Sequence, residues 1–171
     1  VVALCTYNEK VLQKECRDAG DYIIILHTSK PLDLIIGSKG AMHFSPGYYL
    51  YVGSARGNLT KRIERHKRKR KKKHWHLDYL RNDCEFVAAL PIRTREDLEC
   101  PLAEAMRAIS DGSISGFGCS DCQCESHLFS MEENPLHNPQ FMRLVEDFRM
   151  NRLDALLLDS PSSEAHTSGN R

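Results

Sequence analysis

The sequence predicts a mixed α/β (α+β) domain, a small three-stranded antiparallel sheet flanked by helices and followed by a C-terminal helix. Three observations predict it. Three β-branched or aromatic runs follow one another between residues 21 and 53, each bounded by glycine, proline or serine turns. Apolar residues then recur at helical spacing from Leu59 onward. Finally, 171 residues with 41% apolar and 27% charged content suit one globular domain with a tail.

Residues 1–19 are charged and mixed, with a weak helical pattern in Val11, Leu12 and Cys16. Asp21 to His27 is a continuous β-branched run and reads as a buried strand. Leu32–Ile36 and Tyr48–Gly53 repeat the pattern. Asn58 is placed to cap a helix starting at Leu59, with Leu59 and Ile63 on one stripe and Arg62 and His66 on the next. Beyond His66 no apolar residue appears until Trp75, so the basic helix end is expected to project from the core. Trp75, Leu77 and Leu80 return in a second short helix, and Phe86–Ile92 reads as a further strand. Leu98, Leu102 and Met106 define a helix over 95–109, with Pro101 in its first turns. Residues 111–118 read as a Gly/Ser loop, 119–127 as a cysteine segment, 141–158 as an amphipathic helix and 160–171 as a polar, disordered tail.

Composition excludes a membrane-spanning protein, because no window approaches the ~18 apolar residues a span needs. Val1–Leu12 carries Glu9 and Lys10 and does not read as a secretory leader. Seven cysteines, three of them within six positions, suit a reducing, intracellular setting, cytoplasmic or nuclear. The net charge of +1 conceals a segregation. Lys61–Lys73 holds ten basic residues against Glu64, and the remaining 14 basic and 22 acidic residues sum to −8. A field so concentrated usually meets nucleic acid, although such runs also serve nuclear import or lie solvated on a surface.

The order of parts is the strongest signal: Gly20-Asp21-Tyr22 opens one strand, Tyr51-Val52-Gly53 closes another, Arg62 and His66 follow on a helix, and Glu99 begins a later one. In this order the chain resembles the GIY-YIG endonuclease superfamily. Three longer stretches, residues 47–55, 74–80 and 116–129, resemble its branch labelled Uri-superfamily endonuclease. The resemblance spans Gly20–Phe129 and divides the chain into an N-terminal helical extension (1–19), a nuclease-like domain (20–130), a C-terminal helix (131–158) and a disordered tail (159–171). It implies metal-dependent endonuclease activity on a nucleic-acid phosphodiester, with DNA in a repair or structure-specific role as the expected substrate. Tyr22 and Tyr51 resemble the paired tyrosines, Arg62 the phosphate-binding arginine, His66 a polar helper, and Glu99 the single ligand of Mg²⁺ or Mn²⁺. The chain departs from the family pattern in the long Tyr22–Tyr51 separation, in lacking an Asn after a Lys-Pro pair beyond Glu99, and in Ser54 where some relatives have lysine.

The chemistry is consistent on its own terms. Phosphodiester hydrolysis needs an activated water and positive charge on the non-bridging oxygens, which a divalent ion and a planar guanidinium supply. One carboxylate suffices for an ion that keeps most of its waters. A tyrosine of pKa ~10 needs a stabilising neighbour to act as a base, and Lys61 and His66 are candidates. Lys61, Arg65, Lys67, Arg68, Lys69, Arg70, Lys71, Lys72, Lys73 and His76 are the candidate nucleic-acid contacts. Each site residue also has an ordinary role: strand aromatics for the tyrosines, a surface ion pair for Arg62, a first-turn carboxylate for Glu99. Around His74, His76 and Asp78 the favoured reading is hydrogen-bonded surface groups on a helix whose Trp75 and Leu80 are core. Cys119, Cys122, Cys124 and His127, with Cys100 in reserve, have spacings that a structural Zn²⁺ tolerates, while buried free thiols are the plainer alternative. Two further function classes stay open, a non-catalytic nucleic-acid-binding module of the same fold and a zinc-stabilised interaction domain. The nuclease reading requires positions 62 and 99 to face one cavity.

Overall fold

The computed structural model describes the backbone over residues 18–158 and side chains through 150. The expected helix within 1–19 and the disordered tail lie almost wholly outside the described residues. Strands β1 (Gly20–Thr28), β4 (Gly47–Ala55), β5 (Glu85–Arg93), β6 (Gly112–Ser113) and β7 (Leu128–Met131) form one antiparallel sheet in the order β5-β1-β4-β7-β6. The sheet therefore has five strands rather than three. Leu32–Ile36 does not join it: β2 (Leu32–Ile35) pairs with β3 (Ala41–Phe44), a strand with no signal in the sequence, in a separate ribbon. β6 and β7 were hidden in the Gly/Ser loop and behind the cysteine segment, because two- and four-residue strands carry too little alternation to show a period.

Alternation along β1 and β4 makes two cores. Tyr22, Ile24, Leu26, Tyr49 and Tyr51 point to one face, against α1 (Leu59–Lys67), α2 (His76–Arg81), the β2-β3 ribbon and Phe117. Ile23, Ile25, Leu50 and Val52 point to the other, against Leu102, Ala103 and Met106 of α3 (Glu99–Ile109) and Phe141, Leu144 and Val145 of α4 (Pro139–Leu158). Because both faces are covered, the runs read as continuously apolar. Pro91 sits in the edge strand β5, where a missing N–H is tolerated, and its carbonyl accepts from Arg149 of α4. Among the described residues no helix is long and apolar enough to cross a membrane.

Two terminal signals differ from expectation. Asn58 makes no side-chain cap on α1 and lies in the left-handed region at φ 56°. Asp18 takes that role: its carbonyl accepts from the Leu59 amide at 2.8 Å, and its carboxylate accepts from the Thr60 amide and hydroxyl. The helix stops at Lys67, not along the basic run, and Arg81 donates to the Lys67 carbonyl at 2.7 Å. α3 begins at Glu99, so Pro101 falls in its first turn, where a proline is best tolerated.

Candidate active site

Tyr22 and Tyr51 come together through the period of two. The register sets Tyr22 opposite Gly53 and Ile24 opposite Tyr51, so both tyrosines point to the same face, with ring centroids 6.5 Å apart. Their long sequence separation has no geometric consequence, because the intervening ribbon lies outside the sheet. A Cβ on Gly53 would stand 2.6 Å from the Tyr22 ring, which explains the glycine that ends the Tyr51-Val52-Gly53 triplet. Gly118, at φ +75°, lets the loop pass equally close to Tyr51.

His66 is buried on α1, and its Nε2 lies 3.0 Å from the Tyr22 hydroxyl. Burial, reinforced by Lys71, lowers its pKa to about 3, so it is neutral and able to accept the phenol's hydrogen bond. Burial pushes both phenols upward, and at Tyr22 the Arg62 guanidinium, by charge and by hydrogen bond, opposes part of that rise. Arg62 and His66 are thus the neighbours of the phenol, while Lys61 is exposed and has no part in the pair.

The helix carrying Glu99 packs on the opposite face of the sheet, yet its first residue reaches back to the tyrosines' side. The cause lies in β1: the buried Asp21 carboxylate pairs with Arg56 and accepts from the Leu98 amide, tying the start of α3 to the strand position beside Tyr22. Burial lifts Asp21 to about 6, against the pull of Arg56. A cavity of about 240 Å³ results, lined by Tyr22, Tyr51, Arg62, Glu99, Ser54 and His76, with Trp75, His74, Gly118, Ser120 and Asp121 closing it. Positions 62 and 99 therefore share one cavity. Trp75 is not core: the guanidinium carbons of Arg62 and Arg65 lie 4.7 and 4.3 Å from its ring centroid. No spacing rule in the sequence singled out Trp75, Ser120 or Asp121, since they enter from irregular segments.

The site lies within a stretch that identifies the family. Residues 21–150 match a family described as a domain of unknown function, DUF123. The chain belongs to the DUF123 family. This is the GIY-YIG-like branch the motifs resemble, and the match continues beyond residue 130 into α4, in keeping with the packing of that helix on the sheet. No curated protein and no solved structure matches the chain significantly.

In this DUF123 domain the basic run divides into two sets. Asp78, fully buried rather than a surface group, accepts from both terminal nitrogens of Arg65, from Lys71 at 3.0 Å and from the amides of His74 and Trp75. Burial would raise its pKa, but these donors hold it near 2. Arg65 and Lys71 are thus engaged by Asp78, which ties the basic run to the fold. Lys67 pairs with Glu64. Lys61, Arg68, Lys69, Arg70, Lys72 and Lys73 remain exposed, the last five on the loop running into His74 and Trp75 at the cavity edge. His76 lines the cavity while its Nδ1 accepts from the Gly118 amide at 3.1 Å.

The thiol cluster also differs from the sequence reading. Cys100, Cys122, Cys124 and His127 bring their ligand atoms within 4.8 Å of one another, a set able to bind a metal ion such as zinc. Cys119 is not in it; its thiol is directed at the Glu125 carbonyl, 3.5 Å away. The spare ligand has become a member because Cys100 rides on the same helix start that Asp21 ties down.

Proposed function

We propose that the cavity hydrolyses a phosphodiester bond of nucleic acid, with structured DNA as the substrate class. One observation carries the reading: two phenols, a guanidinium and a carboxylate from four separate elements line a single cavity. Arg62, held against Trp75, is preorganised to grip the non-bridging oxygens of a phosphate. Tyr22 is the general base in this reading. As the phenolate, which the Arg62 guanidinium favours, it takes a proton from the attacking water, and the neutral His66 Nε2, 3.0 Å from the hydroxyl, orients the ring by accepting the hydrogen bond of the protonated phenol.

The cavity offers hard oxygen donors, the carboxylates of Glu99 and Asp121 and the hydroxyls of Ser54 and Ser120, which suit Mg²⁺ or Mn²⁺ retaining most of its waters. Such an ion, when bound, supplies charge to the phosphate and acidifies water, and Glu99 would hold it. The exposed cations of residues 68–73 extend the phosphate track outward from the cavity. Five described cysteines are free thiols, in keeping with an intracellular setting, cytoplasmic or nuclear.

The test is incubation with single-stranded, branched and abasic DNAs and the corresponding RNAs, with Mg²⁺, Mn²⁺ or chelator. Metal-dependent scission of at least one branched or damaged DNA, lost in Glu99→Gln, is expected. Binding without scission under every condition would select the non-catalytic module instead.

A further inference from the structure

His127 stands between two sites. It is almost wholly buried, and its Nε2 faces the thiols, 3.5 Å from Cys122 Sγ. Its Nδ1 faces the other way, 3.4 Å from Glu99 Oε1, and makes no hydrogen bond. A buried imidazole whose best partner on one side is a weakly polar thiol is poorly satisfied by protein alone. A cation among the thiols removes the difficulty. Tetrahedral zinc sites place sulfur ligands ~2.3 Å from the ion, hence ~3.8 Å from one another, so atoms already within 4.8 Å need only a sub-ångström contraction.

The ligands come from two chain segments whose backbones are held without any ion. Cys100 is on the first turn of α3, tied down through Leu98 and Asp21. Cys122, Cys124 and His127 lie on a loop pinned by the amides of Gly116 to Glu125 and His127 to Phe117, by the Ser126 hydroxyl, and by the Val52 amide to the His127 carbonyl. The scaffold is therefore preformed, with four protein ligands and no position left for substrate, as in structural rather than catalytic zinc sites.

We propose that Cys100, Cys122, Cys124 and His127 hold a structural zinc ion and that His127 passes its constraint to Glu99. With Nε2 on the metal, Nδ1 carries the proton and donates to Glu99, the carboxylate–histidine–zinc arrangement that fixes ring tautomer and orientation. One oxygen of Glu99 is thereby held, and the carboxylate keeps its aim into the cavity. Glu99 would then serve two sites at once, and His127 is a positioning residue. Only the consequence for cleavage rests on the nuclease reading; the zinc site does not.

The experiment measures metal content of the full chain by elemental analysis, and Co²⁺ substitution through the visible bands of cobalt–thiolate ligation. One zinc per chain is expected, with removal by chelator lowering Tm by ~10 °C. Cys100→Ser and Cys122→Ser should lose the ion, and Cys119→Ser should keep it. His127→Cys is the decisive variant, since four thiolates still bind zinc and cobalt while the link to Glu99 is gone. Full metal content, an unshifted Tm and cleavage reduced tenfold or more are its expected signature. Absence of zinc from the wild type, together with no cobalt–thiolate spectrum on titration, would overturn the site even if the protein cleaves DNA. Zinc retained in Cys100→Ser but lost in Cys119→Ser would overturn the ligand set. Unchanged cleavage in a zinc-loaded His127→Cys would overturn the coupling, while zinc binding in a chain that cuts nothing would refute the nuclease reading alone.

Discussion

Gly53 and Tyr22 show how one side chain's position depends on another's absence. Gly53→Ala places a methyl 2.6 Å from the Tyr22 ring, so the ring must turn away from His66. The expected outcome is a loss of ~1–3 kcal/mol in urea unfolding and a cleavage rate at least tenfold lower at unchanged DNA affinity. Arg62→Lys keeps the charge but loses the planar fork, so cleavage should fall by more than tenfold while the salt dependence of binding stays the same, measured by single-turnover kinetics and titration. The tyrosines, Arg62, His66 and Glu99 were legible in the sequence because their order survives as motif. Asp78 was legible only as a polar residue: the sequence shows its charge but not that five donors converge on it, because Arg65 reaches it from the last turn of α1 and Lys71 from a loop with no periodicity.

At the scale of elements, the segment from α1 through the basic loop to α2 is held by Asp78. Replacing it with Asn leaves Arg65 and Lys71 near a neutral partner inside the fold. Breaking a buried pair in this way costs ~3–5 kcal/mol, to be read as a drop in the urea midpoint. The same loop carries the exposed cations, so Lys72→Ala with Lys73→Ala should make the slope of log K against log salt shallower by ~1.8, at ~0.9 per phosphate contact. A slope indifferent to both changes would remove the loop from the interface. The paired strands β1 and β4 were readable from their β-branched runs, and α3 from its apolar spacing. The β2-β3 ribbon is not legible because a strand's sequence does not state its partner, nor is the Asp18 cap, which lies 41 residues before Leu59 and comes from outside the motif.

Over the whole molecule, three buried groups set the acid response with opposing signs. His66, at about 3 when folded against 6.5, takes up a proton more readily unfolded, so its contribution is lost as pH falls below 6.5. Asp21, at about 6 against 3.8, binds its proton first in the folded state and favours folding as pH falls through the same range. Asp78, near 2 against 3.8, adds stability above pH 3.8 that disappears toward pH 2. Between pH 6 and 4 the first two largely offset each other, and below pH 4 the loss steepens. His66→Gln removes one side of the balance, so its Tm relative to wild type should rise as pH falls from 6 to 4, as followed by circular dichroism. A constant difference would mean that His66 is charged or solvated in the fold. The convergence of Glu99 with Arg62 from opposite layers also belongs to this scale. The sequence places both residues but not the Asp21 clamp that turns the start of α3 toward the tyrosines.

The most direct measurement compares wild type with Glu99→Gln on a branched DNA in Mg²⁺, reading equilibrium affinity and single-turnover scission on the same samples. The account predicts affinities within threefold of one another and scission at least 100-fold slower in the variant. Equal scission rates, or scission by both proteins in excess chelator, would contradict it.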